Sequence, residues 1–149
     1  MTIARPPAAA DRAWAIFFAR TILGLIFFMA GFWKVFQLGP IEHARRLFIV
    51  PYAGTFLPPW SLWATGTVVP FIELAAGALV LVGLWTRPAL RALGGVLVLV
   101  TFGHLVKEPL FSFTGHVIPR TALLLFVLML PREADWFSVD AWRSRRSGP

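Results

Sequence analysis

Six ionisable residues, Arg20, Lys34, Glu73, Arg91, His104 and Arg120, fall inside or at the edge of four apolar segments, Trp14–Phe36, Trp60–Trp85, Pro88–Val106 and Val117–Leu130. A carboxylate, several cations and an imidazole in an apolar setting can pass a proton, hold an anion or grip a polar head group. Hydrocarbon resists such residues, at a cost of at least ~2.5–3.5 kcal/mol for a charge near the bilayer centre on insertion scales. Runs of about 20 apolar residues cross a bilayer as helices. The chain therefore reads as a small polytopic membrane protein whose charged side chains turn into a bundle interior.

The spacing assigns these residues to faces. Arg20, Gly24, Phe27, Gly31, Lys34 and Leu38 recur at intervals of four and three, and so do Gly66, Pro70, Glu73, Gly77 and Val80. That period places each set on one side of a helix. Small residues let helix backbones approach closely in membranes. The two faces are expected to meet through Gly24, Gly31, Gly66 and Gly77, with Glu73 neutralised by Lys34 or Arg20. Spacing leaves that choice open. It also leaves open whether the ions only fix helix register or form a site for a proton or head group.

His104 shares a face with Leu97, Thr101 and Glu108 and reads first as a hydrogen-bonded interface residue. Arg120 follows His116 by four residues, a spacing that suits an anion, though a guanidinium so placed can also snorkel outward. No paired-histidine spacing exists, so haem is disfavoured. The chain has no cysteine, which removes disulfides and thiolate metal sites, and no metal site is expected. Nucleophile-elbow, phosphate-loop, zinc-helix and dinucleotide-binding patterns are all missing.

The elements that must position these groups are helical. Hydrophobic residues make up 58% of 149 positions and mean hydropathy is +0.73, above the ~45–50% apolar share of a soluble domain. The expected fold is all-α: an integral membrane four-helix bundle, with a short interfacial helix at Ile41–Val50 between spans one and two. Residues 1–12 form a mobile polar lead, 13–131 the membrane domain, and 132–149 a basic tail lying on the surface. Pro70 is expected to kink span two. Span one exceeds the roughly 7–15 apolar residues of a signal peptide and carries Arg20, so it is expected to persist in the mature protein. The net charge of +7 is scattered over loops and tails, which argues against nucleic acid and for membrane orientation.

Two stretches carry a resemblance. Span one holds Arg20 and, after ten intervening residues, Gly31-x-x-Lys34; span two reads Glu73, Gly77, an apolar run and then Gly83-x-x-Thr86-Arg87. This order resembles the DoxX family of small four-span bacterial membrane proteins over about residues 13–130. The connection after span one is longer here than the family pattern, and span four is shorter. The resemblance implies a bundle in the bacterial inner membrane and links to redox metabolism, through a membrane subunit of thiosulfate:quinone oxidoreductase and through thiol and oxidative-stress defence. On that footing the first reading is a membrane subunit or accessory protein of a quinone-linked redox system. Glu73 would exchange a proton, Lys34 and Arg20 would hold carbonyl oxygens, and His104 would donate a hydrogen bond. Any enzymatic role would be that of an oxidoreductase's membrane subunit, with a protein partner or a second copy. The competing readings are an assembly protein without its own activity and, ranked last, a small transporter.

Orientation follows from the bases. Arg5, Arg12, Arg87, Arg91, Arg132, Arg143, Arg145 and Arg146 group on one side, and Arg45, Arg46 and Lys107 on the other. The excess places both termini in the cytoplasm. Alkaline phosphatase fused after Pro149 is therefore expected to be inactive in intact bacteria, and a fluorescent protein fused there to glow; an active phosphatase would reverse the topology.

Overall fold

The structure is a computed structural model that describes residues 7–110 and 112–146. Residues 1–6 of the expected lead, position 111 and residues 147–149 lie outside the described residues. Helix α1 spans Pro7–Phe32 and continues as a π-helical turn, Trp33–Leu38. Helix α2, Pro40–Ala44, likewise runs on as a π turn, Arg45–Ile49. Then come α3 (Pro59–Val82), α4 (Thr86–Lys107) and α5 (Val117–Met129), a 3-10 turn at Arg132–Ala134 and α6 (Val139–Arg146). No strand occurs among the described residues.

Prolines and one glycine set the boundaries. Pro59 opens α3 at a position where its missing N–H costs nothing. Helix α4 stops at Glu108 and α5 at Leu130, both extended and both followed by proline, the conformation that a proline imposes on its predecessor. Helix α3 ends on Gly83 at φ 73°, with Leu84 N–H donating to Leu79 O at 2.9 Å and Gly83 N–H to Val80 O at 3.2 Å. That is a Schellman ending, and glycine takes its left-handed residue without strain. Residues 7–12, expected as mobile lead, are the first turns of α1. The chain stays helical through Pro70.

Helices α1, α3, α4 and α5 pack in a closed ring, α1 against α3, α3 against α4, α4 against α5 and α5 against α1, with the most extensive contact between α1 and α3. Ile16, Leu23, Phe27, Val80, Leu90, Leu93 and Val127 form the shared core. Three helical stretches, Ala8–Leu38, Pro59–Val82 and Thr86–Lys107, are long and apolar enough to cross a membrane. The 13 residues of α5 reach about 20 Å at 1.5 Å each, against about 30 Å of hydrocarbon.

Helices α1 and α3 run antiparallel at backbone contact. A Cβ added at Gly24 would lie 2.7 Å from the Leu81 nitrogen, one at Gly77 would lie 2.5 Å from the Phe28 nitrogen, and one at Gly31 would strike the Leu74 amide. Gly66 departs from expectation, because it faces α2 rather than α1: its Cβ would meet the Ala44 Cα at 2.6 Å. Residues 41–49 are helical as expected, and both this helix and its π turn pack on α3.

Gly77→Leu should lower the stability of the detergent-solubilised protein by about 1–3 kcal/mol, the usual cost of overpacking. Gly95→Ala, where nothing lies within 4 Å, should be neutral or gain about 0.5–1 kcal/mol from helix propensity. Thermal melting checks both, and equal behaviour of the two variants would refute the α1–α3 backbone contact.

Candidate functional site

Lys34 stands in the π turn that ends the first long helix. A π turn shifts the side chains after it relative to a straight α-helix, and such turns are frequent at functional sites. The Lys34 ammonium meets Glu73 Oε2 at 2.5 Å, with the Lys34 side chain 20% exposed and that of Glu73 5% exposed. The carboxylate is thus the more deeply buried of the two partners. Charge-assisted contacts of this kind are short and strong where water is scarce.

A histidine lies beside the pair for a backbone reason. Pro70 has no N–H, so the Gly66 carbonyl four residues earlier lacks its helical partner. A buried carbonyl must be satisfied, and in an apolar molecule the donor has to come from the protein itself. His43 supplies it: the imidazole is 2% exposed and its Nδ1 lies 2.6 Å from Gly66 O. A carbonyl only accepts, so Nδ1 carries the proton and Nε2 keeps a lone pair. The absence of a side chain at Gly66 lets α2 approach closely enough for this bond. Phe48 packs against the imidazole and Tyr52 against Phe48, with ring centroids 5.5 and 6.4 Å apart. Burial pushes the His43 pKa below its ordinary value; the Gly66 bond and Glu73 oppose this and Lys34 assists it. The imidazole is therefore neutral at neutral pH and can accept a proton or hydrogen bond through Nε2.

The opposite end of the ring holds a separate polar network. Arg20, 1% exposed, donates to Val80 O at 2.6 Å, Leu81 O at 2.8 Å and Phe137 O at 3.2 Å, and its Nε lies 3.4 Å from Asp135 Oδ2. The first two acceptors are carbonyls of the last turn of α3, at the negative end of the helix dipole; Val80 O also accepts from Gly83 N–H. Arg87 does the same for α5, donating to Leu128 O and Leu130 O. Asp140 caps α4 from outside it, accepting from Trp85 N–H and Thr86 N–H at 3.0 Å each. Burial pushes the Asp135 carboxyl above the usual range, with Arg20 opposing. Trp85 is held at φ 47°, ψ 41°, a conformation that costs a bulky residue about 1–3 kcal/mol.

These contacts answer and correct the sequence expectations. Glu73 pairs with Lys34, while Arg20, on the same face, is taken by Asp135 and the α3 end. His104 does not join the pair's surroundings; its charged neighbours include Lys107, Glu108 and His116. The half-buried Arg120 has its guanidinium 5.7 Å from the Phe27 ring centroid, a cation–π distance. His116 is exposed and Arg91 is exposed. The tail does not simply lie on a surface: through Asp135, Phe137 and Asp140 it folds onto the ends of α1, α3 and α4. Sequence reading missed His43, Asp135 and Asp140. Pro70 was the available signal for the first, because an intrahelical proline orphans a carbonyl. The other two had no local signal.

An all-helical chain with three helices long and apolar enough to cross a membrane and a part-buried ion pair between two of its helical segments is an integral, multi-pass membrane protein. The DoxX family model matches residues 15–107, and the chain belongs to that family. Comparison with curated proteins and with solved structures gives no match. The matched residues include Arg20, Lys34, Glu73, Gly83, Thr86 and Arg87; their geometry divides them between two ends, the ion pair at one and the helix caps at the other.

The His43 shift has a pH consequence. Between its lowered folded pKa and about 6.5 in the unfolded chain, the unfolded state binds more protons, so this contribution to stability grows as pH rises through that window, is lost as pH falls through it, and is level below it. The melting temperature in detergent should decline below about pH 6.5, and His43→Gln, which can still donate to Gly66 O, should flatten the decline. A variant that follows the wild type through this window would remove His43 as the titrating group.

Proposed function

We propose that this protein is a bacterial inner-membrane subunit or accessory protein of a quinone-linked redox system, with the Lys34–Glu73–His43 cluster as its head-group site. Helix α5 serves as a fourth, tilted span and both termini lie in the cytoplasm. The observation that carries the reading is the ion pair itself: a Glu73 carboxyl 5% exposed, in contact with the Lys34 ammonium, with the buried His43 imidazole close by. The ammonium of Lys34 would donate to a quinone carbonyl oxygen, and His43 Nε2 or Glu73 would take the proton of a quinol hydroxyl. The aromatic rings of Phe48 and Tyr52 offer the apolar wall that such a ring needs. This chain supplies binding and proton positions, and the electrons pass to or from a partner oxidoreductase that carries the redox group.

The register reading has one specific observation in its favour, because Gly31 meets the Leu74 backbone next to the pair. Two variants separate the readings. Glu73→Gln leaves a cation unpaired and should cost about 3–5 kcal/mol if the site is fully buried, while Lys34→Gln/Glu73→Gln should recover much of that. The wild type purified in mild detergent is expected to retain quinone by mass spectrometry. The folded double variant should lose both the quinone and quinone-dependent electron transfer in membranes. A folded double variant that keeps both would leave the pair as a register device.

A further inference from the structure

At the end of the ring opposite the Lys34–Glu73 pair, a cavity of about 670 Å3 opens between the start of α4, the end of α5 and the C-terminal segment. Its volume is that of a small-ligand pocket, roughly 300–1,000 Å3. The floor is apolar, made by Ile16, Val127 and Leu130. Two indoles stand in the wall, Trp136 and the exposed Trp85. Trp85 is the only non-glycine residue at positive φ among the described residues. Strain of this kind persists only where the surroundings enforce it, and it clusters at ligand clamps. Here Asp140 enforces it by holding the Trp85 amide.

The charges in the wall are not balanced by one another. Arg87, Arg132 and Arg145 line the cavity, and none forms an ion pair with a carboxylate among the described residues. Arg87 is spent on carbonyls, which satisfy its donors without cancelling its charge. Of the three acids in the wall, Asp140 gives both oxygens to the α4 cap and Asp135 is opposed by Arg20. Glu133 stands exposed at the rim. What faces a ligand is therefore two exposed guanidinia, Arg132 and Arg145, one carboxylate, two indoles and an apolar floor; Arg145 also donates to Trp136 O at 3.2 Å, a bond to a neutral carbonyl that leaves its charge unbalanced.

We propose that this cavity binds a phosphate ester carrying an apolar substituent, and that its source is a phospholipid of the adjoining leaflet. Guanidinium forks match phosphate oxygens in geometry as well as charge, and indoles favour the depth where head group meets hydrocarbon. Arg132 and Arg145 hold the phosphate, Ile16, Val127 and Leu130 receive the glycerol-ester region, and Glu133 faces the donors of the head group beyond. The last contact selects hydroxyl- or ammonium-bearing head groups over choline, which has no donor. The proposal stands apart from the redox reading, since no residue of the Lys34–Glu73–His43 cluster lines this cavity.

The test uses the full chain, delipidated in mild detergent and titrated separately with phosphatidylglycerol, phosphatidylethanolamine, phosphatidylcholine and soluble glycerol 3-phosphate, with bound species read by native mass spectrometry. Phosphatidylglycerol and phosphatidylethanolamine should bind at one per chain, and phosphatidylcholine about tenfold more weakly. Arg132→Gln/Arg145→Gln should weaken phosphatidylglycerol about tenfold or more at an unchanged melting temperature, since both side chains are exposed. Arg143→Gln/Arg146→Gln removes the same charge from the same segment outside the cavity and should bind as the wild type does. Glu133→Gln should erase the discrimination against choline. Equal loss in both arginine pairs, or no stoichiometric lipid, would reduce the effect to surface charge and overturn the site. Glycerol 3-phosphate binding as tightly as the lipids would overturn the leaflet as the source.

Discussion

The guanidinium of Arg20 joins parts of the chain as far apart as 117 positions in sequence. It closes the end of α3, meets Asp135 and holds the Phe137 carbonyl, so one side chain locks α1, α3 and the C-terminal segment together. The rule behind this contact governs the whole molecule. In an apolar surround, a helix end or an ion must be satisfied by the protein, because no water will do it. Arg20 serves the end of α3, Arg87 that of α5 and Asp140 the start of α4. These three caps tie each turn at this end to an element distant in sequence.

The same rule explains why the candidate site lies at the other end. There the orphaned group is not a helix terminus but the Gly66 carbonyl, freed by Pro70 inside α3. His43 reaches it from α2, and in doing so comes to rest beside Glu73 and Lys34. The imidazole is thus present for a structural reason, and a spare acceptor is a by-product of how that reason was met: Nδ1 is committed to the carbonyl and Nε2 is not. The pair and the histidine therefore share a dependence on Gly66, whose missing side chain admits α2.

The two ends differ in what they leave over. At the Arg20 end most polar groups are consumed by caps, and the unbalanced charge sits on exposed arginines at the cavity rim. At the Lys34 end Glu73 is buried under a partly exposed lysine, and spare accepting capacity belongs to a neutral base.

The sequence by itself determined the helices, their stops and the face that Arg20, Gly24, Gly31 and Lys34 share. Those follow from the transfer cost of each residue, from helical period and from what proline does to its neighbour, all local properties. It also carried the family, through the order of Glu73, Gly77, Gly83, Thr86 and Arg87. Only the tertiary structure decided that Lys34 rather than Arg20 pairs with Glu73, that Gly66 meets α2, that His43 rather than His104 joins the pair, and that Asp135 and Asp140 anchor the tail. Each of these depends on the stagger of helices against one another. That stagger is set by where glycine lets two backbones touch and where a π turn shifts a side chain, and no spacing within one segment encodes it.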